Sequence, residues 1–309
     1  MVTAEHLITK DKVVAPGSAC RRRALAGVRC GPFRLAMVRD SLVTVFANGI
    51  WKSGNHLLTK VCGLLGVPKA EFGIATHLLI GDNYVVRRLI RGPRWEKSPI
   101  GVGIDMPVAV GSRWLNRKLR RLKGRCIGGH AGFSDRLLAL LKENTIRPIQ
   151  IVRDPRDVVT SFALWIETRP DYYAYPAFAG LSIPDRVLAV IQGCRSNSLC
   201  FESFATVMDR SYGWLTRPKD VLVVRFEDLV GPEGKGSAEA QMAALRQVAD
   251  WLGLREVDLE RVASEAFGGT PTFREGAIGS WREHFTNDVR AVFDDVVGPR
   301  LEQWGYSKK

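Results

Sequence analysis

Two kinds of apolar run alternate along this chain, and the alternation leaves few folds open to it. One kind is short and rich in β-branched or aromatic residues: "LVTVFANG" at 42–49, "RPIQIVRD" at 147–154 and "KDVLVVRFEDL" at 219–229. The other carries apolar residues at helical spacing: "HLLTKVCGLLG" at 56–66, "SDRLLALLKEN" at 134–144, "PRDVVTSFALWI" at 155–166 and "EAQMAALRQVADWLGL" at 239–254. Continuous apolar strands suit a sheet covered on both faces, and strands separated by helices pair in parallel. The expectation is therefore one α/β fold of three layers, αβα, around a central, mostly parallel, doubly wound sheet. "RCIGGHAGF" at 125–133 reads as a further short strand and turn, and "DRVLAVIQGCRSNSLCFESFATVMD" at 185–209 as a helical stretch. Residues 1–40 contain "RRR" at 21–23 and no clear periodicity, so they read as a loosely ordered basic arm before a domain at 41–309.

Charge narrows the partners. Forty-five Lys and Arg against 32 Asp and Glu give a formal net charge of +13. Such an excess implies an anionic partner: nucleic acid, a membrane surface or a polyanionic small molecule. The basic stretches between 87 and 125, "RRLIRGPRWEK" and "SRWLNRKLRRLKGR", are either a solvated helix face or the wall of a groove for an acidic substrate. Six scattered cysteines, with no C-x-x-C pair and no nearby histidine cluster, read as reduced thiols and not as zinc ligands. No apolar run reaches the roughly 18 residues that span a bilayer. Nor does the N-terminus read as a secretory signal, so a cytoplasmic location without metal is expected.

In sheets of this kind ligands bind where strands end and helices begin. At "NGIWKSGNHLL" (48–58) a strand gives way to a helix through Lys52, Ser53, Gly54, Asn55 and His56. Backbone N–H groups at a helix start attract an anion, glycine permits close approach, and the lysine adds a full charge. The stretch lacks the upstream glycine and spacer of the triphosphate loop G-x-x-x-x-G-K-[ST]. By itself it fits a phosphate cradle or an ordinary turn carrying a lysine. "IQIVRDPRDVVTSF" (149–162) ends a strand on Arg153 and places Ser161 in the next helix, a pair that suits one phosphate. The same residues would also support an ion-pair network among Arg153, Asp154, Arg156 and Asp157. "PTFREGAIGSWREHFT" (271–286) joins Arg274 to glycines and aromatics and reads as a lid over a binding site.

Taken in order, "KSG", "VRDPRDVVTSF", "RFEDL" and "FREGAIGSWREHFT" resemble the sulfotransferases that use 3′-phosphoadenosine 5′-phosphosulfate (PAPS), over about residues 43–286. The resemblance implies a P-loop-like phosphosulfate loop. It assigns Lys52, Ser53, Gly54, Asn55 and His56 to the 5′-phosphosulfate, and Arg153, Ser161, Arg274, Glu275 and Gly276 to the 3′-phosphate. It also places the catalytic histidine at His130, where a near-neutral imidazole can take the acceptor's proton. Of the other histidines, His6 lies in the arm, His77 in an apolar stretch, His284 in the lid and His56 on the phosphate loop. Two positions depart from the family pattern: Gly128 stands where many members have a lysine, and Leu57 where many have a tryptophan that stacks on adenine. Stacking then falls to Phe226 or is weaker. The implied activity is sulfuryl transfer to a hydroxyl of an alcohol, phenol or sugar, with the aromatic segment 165–185 lining the acceptor pocket. The competing readings are a P-loop-like small-molecule or nucleotide kinase, which needs magnesium ligands and a fuller phosphate loop, and a basic nucleic-acid-binding protein using residues 87–125.

Overall fold

The structure is a computed structural model that describes residues 43–75, 99–105, 108–195, 200–269 and 277–307. Its centre is a five-stranded sheet built from β1 (Thr44–Gly49), β2 (Ile74–Ala75), β5 (Cys126–His130), β6 (Ile146–Val152) and β9 (Leu222–Arg225). The spatial order is β2-β5-β1-β6-β9 and every neighbouring pair is parallel. Two-residue strands make two small antiparallel pairs beside it: β3 (Ile100–Gly101) with β4 (Ala109–Val110), and β7 (Cys194–Arg195) with β8 (Cys200–Phe201).

The helices are α1 (Asn55–Leu64), α2 (Ser112–Arg120), α3 (Asp135–Glu143), α4 (Pro155–Ile166), α5 (Ile183–Gln192), α6 (Phe204–Tyr212), α7 (Phe226–Leu229), α8 (Ala238–Leu252), α9 (Leu259–Ala266), α10 (Asn287–Val296) and α11 (Gly298–Leu301). Side-chain alternation along the strands divides them between two faces. Val45 and Ala47 of β1 and Ile149 and Ile151 of β6 point to one face, where α1, α8 and α9 bury Leu58, Val61, Leu245, Val248 and Val262. Phe46 points to the other, packing with Ile127, Leu115, Leu119, Leu137, Leu141 and Trp214. A further cluster of Trp51, Phe162, Tyr172, Phe178, Phe201 and Phe293 joins α4, α5, α6 and α10. The three-layer αβα arrangement expected from the sequence is the one observed.

Several local readings hold and two are corrected. Ser134 caps α3, its Oγ accepting the Leu137 N–H at 3.2 Å, and Pro155 opens α4 behind the Asp154 cap. On α2, Leu115 and Leu119 are buried while Arg113, Arg117, Lys118 and Arg120 face solvent, so this part of the basic region has a solvated cationic face. The stretch 185–209 is not one helix. Gly193 turns the chain with φ 78°, and a Cβ there would lie 2.6 Å from the Ser203 nitrogen, so the helix stops and the β7–β8 pair intervenes before α6. The strand reading of "RFEDL" is also corrected. The strand ends at Arg225, and Phe226 begins the short helix α7.

Phe46 sits in the middle strand with no exposed surface, 5.8 Å from the Trp214 ring centroid. Its ring needs the missing side chain of Gly129, where a Cβ would approach to 2.4 Å. Phe46→Ala should lower the unfolding free energy by about 3–5 kcal/mol, read by urea denaturation, because strand neighbours cannot collapse into the space.

Candidate active site

Parallel strands bring their carboxyl ends to one edge, and here β1, β5, β6 and β9 lead directly to Lys52, His130, Arg153 and Phe226. A buried amide ladder fixes those ends relative to each other. Asn48 on β1 donates to the Ala131 carbonyl after β5 at 3.0 Å and to Gln150 Oε1 on β6 at 2.8 Å, and its Oδ1 accepts the Ala131 N–H at 2.9 Å. Both amide side chains are fully withdrawn from water, so each missing partner would leave a costly buried polar group.

The loop after β1 is tightly wound. Lys52 takes φ 64° and Gly54 φ 104°, and the Ser53 N–H and Oγ both donate to the Ile50 carbonyl, at 3.1 and 2.6 Å. A Cβ on Gly54 would meet the Phe226 ring at 2.6 Å, so only glycine lets the helix start lie this close to α7. Gly54 also means that α1 begins without a side-chain cap, whereas α3, α4, α5, α6, α8, α9 and α10 each receive one. Its first-turn N–H groups are therefore available to an anion. Asn55 ties that turn to β5 through Nδ2 to the Gly129 carbonyl at 2.7 Å, and its buried Oδ1 has no partner.

Arg153 lies under this loop, 7 % exposed. Its guanidinium rests 4.3 Å from the Phe226 centroid and donates to the carbonyls of Lys52 (3.3 Å) and Ala277 (2.9 Å). Asp157 stands one turn on, 4.0 Å away. Burial draws the Arg153 pKa down, opposed by Asp157, Glu227 and Asp154, and an arginine so placed stays charged. Its buried Nε has no partner. Asp154 pairs with Arg156 at 2.8 Å and Asp157 with Arg153 at 4.0 Å, so the ion-pair reading of this motif holds as two pairs. Asp157 does something the sequence did not announce. With no exposed surface, it accepts from the Gly279 N–H (2.7 Å), the Ser280 hydroxyl (3.2 Å) and the Trp281 N–H (3.0 Å). Arg274, Glu275 and Gly276, with the rest of 271–276 at the start of the expected lid, fall outside the described residues.

His130 ends β5, half-buried, with Nδ1 2.7 Å from the Gly49 carbonyl. A carbonyl only accepts, so Nδ1 carries the proton and a neutral ring keeps its lone pair on Nε2. His56, on the first turn of α1, is held below the ordinary imidazole range, first by burial and then by Lys69 and Lys52. Lys52 Nζ stands 5.4 Å from the centroid of Trp165, which is half-buried near the end of α4, and Ser161 is on the second turn of that helix. The rest of the aromatic segment is largely core: Tyr172 and Phe178 pack against Phe162, and the Tyr172 hydroxyl donates to the buried Asp105 at 2.9 Å. Its Trp165 end lies beside Lys52 of the candidate site. Phe226, at 5 % exposure, lies under the Arg153 guanidinium and meets Gly54 at its ring edge, which leaves little of the ring to a ligand. His6 and His77 lie outside the described residues.

The fold matches mouse sulfotransferase SULT7A1 complexed with PAP, at a TM-score of 0.53 and 18 % identity over 85 % of this chain and 86 % of that one. This is the sulfotransferase fold. It also matches retinol dehydratase in complex with androsterone and inactive cofactor PAP, at a TM-score of 0.52 and 14 % identity over 84 % of this chain and 81 % of that one. No family model matches the sequence, and none of the curated proteins is similar enough to match it. The architecture therefore relates this chain to the sulfotransferase fold where sequence similarity is slight. No helix among the described residues is long and apolar enough to cross a membrane.

The depressed pKa of His56 has a pH consequence with a definite sign. Folding favours the neutral ring, while the unfolded chain protonates nearer the ordinary value of 6.5. The unfolded state therefore binds more protons as pH falls below that value, and stability drops. His56→Gln should lose less stability than wild type between about pH 7.5 and pH 5. Denaturant titration at both pH values reads the difference, and parallel losses would show that burial of this ring is inconsequential.

Proposed function

We propose that the protein transfers a sulfuryl group from PAPS to a hydroxyl of an alcohol, phenol or sugar. The observation that carries the reading is the Arg153–Lys52 contact at 3.3 Å. It sets a buried guanidinium, with an unpartnered Nε, directly beneath an uncapped helix start and a lysine. Two adjoining anion-binding features suit a ligand with two phosphate groups better than one with a single phosphate. The orphaned Arg153 Nε is a donor that a phosphate oxygen of such a ligand would satisfy. PAP, the desulfonated 3′,5′-bisphosphate, is in the named complexes of both structures described above.

In this reading the first turn of α1, with Lys52, Ser53, Gly54, Asn55 and His56, takes the 5′-phosphosulfate. Ser53 Oγ already bonds to Ile50, so its part there is chiefly its backbone and the shape it gives the turn. Arg153, Ser161, Arg274, Glu275 and Gly276 take the 3′-phosphate, and Phe226 acts beneath Arg153. The cosubstrate supplies the sulfuryl group and a phosphate leaving group. His130 receives the acceptor's hydroxyl proton at Nε2, because its Nδ1 is held by the Gly49 carbonyl. Lys52 offsets the charge that grows on the leaving phosphate oxygen. With Gly128 at the position where a second lysine is common, Lys52 carries that task without it. Trp165, beside Lys52, forms the near wall of the acceptor site. The acceptor chemistry rests on this placement of Trp165.

PAP should raise the melting temperature well above the effect of equimolar AMP, which lacks the 3′-phosphate. Equal shifts would remove the case for a 3′-phosphate site. His130→Ala should keep the PAP-induced shift and lose roughly two to four orders of magnitude in PAPS-dependent turnover. Near-wild-type turnover in that variant would take the base away from His130.

A further inference from the structure

We infer that Asp157 is a positioning residue for Arg153, and through it sets the preference for a 3′-phosphorylated nucleotide. The inference rests on the sulfuryl-transfer reading. Asp157 is the second acid of the "RDPRD" turn, one helical turn beyond Arg153, and has no exposed surface. A buried carboxylate is tolerated only when its lone pairs are used, and three donors from a distant part of the chain use them: Gly279 N–H, Ser280 Oγ–H and Trp281 N–H. Those contacts close the turn at 277–281 against α4.

The same turn presents the Ala277 carbonyl to Arg153 Nη2 at 2.9 Å. Arg153 is thus held on one side by Lys52, from beneath by Phe226, and on the other side by a carbonyl whose place Asp157 determines. The Asp157 carboxylate itself stands 4.0 Å from the guanidinium, too far for a good hydrogen bond and close enough to favour its charge. Held this way, the buried guanidinium has Nε unengaged and a single orientation. Arginine recognises phosphate through a planar fork whose orientation matters, so loss of one side support should weaken phosphate binding without touching the phosphate directly. Trp281 reinforces the turn: Arg156 lies 4.6 Å from its centroid and Arg290 5.3 Å.

The test compares PAP and AMP affinities by calorimetry in the full chain. In Asp157→Asn the amide NH2 faces N–H donors and the charge is gone. PAP affinity should fall about ten- to hundredfold, while AMP affinity changes by about twofold or less, so the PAP:AMP ratio collapses. A role limited to stability would lower the melting temperature and leave that ratio intact. Gly279→Ala is the second variant. It keeps the carboxylate but strains the turn, since Gly279 has φ 80°, and it should lower the same ratio. A folded variant of either kind that retains the wild-type ratio overturns the inference alone. A wild-type protein with no preference for PAP overturns it together with the sulfuryl-transfer reading.

Discussion

The candidate site depends first on the buried amide of Asn48. In a parallel sheet each strand end is free to slide or splay unless something at the edge ties it down, and ladder bonds do not reach past the last pair. Asn48 bridges the central strand to the chain after β5 and to Gln150 on β6, and Trp214 adds a bond from its Nε1 to the same Ala131 carbonyl at 2.9 Å. Because these polar groups are buried, no water can replace a lost partner cheaply, and the register is strongly specified. His130 is the next residue back from Ala131, and Gly49 is the next one on from Asn48. The histidine–carbonyl contact at 2.7 Å is therefore set by the same ladder.

Close packing then determines where the charges sit. Gly54 lets Phe226 come up against the start of α1, and Phe226 in turn carries the Arg153 guanidinium on its ring. A cation in such a place has lost most of its water and is held by carbonyls, an aromatic face and a neighbouring carboxylate. Losing part of its solvation and keeping an unpartnered Nε makes it responsive to an anion that enters. Glu227, pushed up by burial, accepts the Asp154 N–H at 2.8 Å and the Tyr306 hydroxyl at 3.0 Å, which anchors the Arg153 turn from below. The helix dipole of α1, Lys52 and Arg153 thus act over one small region instead of being spread along the surface.

The places where sequence reasoning succeeded share a cause. "LVTVFANG", "RPIQIVRD" and "PRDVVTSFALWI" carry local signals strong enough to survive any context: continuous β-branched runs, or a helix opened by a capping acid and proline. Its misreadings at 185–209 and at "RFEDL" also share one. Gly193 ends a helix because the chain passes close to Ser203, and Phe226 leaves the strand with its ring packed under the Arg153 guanidinium and against Gly54. Neither demand is visible in neighbouring residues. Most rings of the aromatic segment 165–185 pack into the core, Tyr172 and Phe178 against Phe162 just before it and Phe178 against Phe201 beyond the β7–β8 turn.

By itself the sequence determined the three-layer parallel architecture, the strand-to-helix junctions that form the candidate site, and the identity of the charged residues at those junctions. Periodicity, glycine and proline act over a few residues, so they can be read without coordinates. Only the tertiary structure decided how these residues are arranged: that Arg153 bonds to the Lys52 carbonyl, that Nδ1 of His130 is held by Gly49, and that Asp157 grips the turn at 279–281. Those pairings join residues 81 to 124 positions apart. They follow from strand order and from the need to satisfy buried polar groups, and both are properties of the whole packed chain.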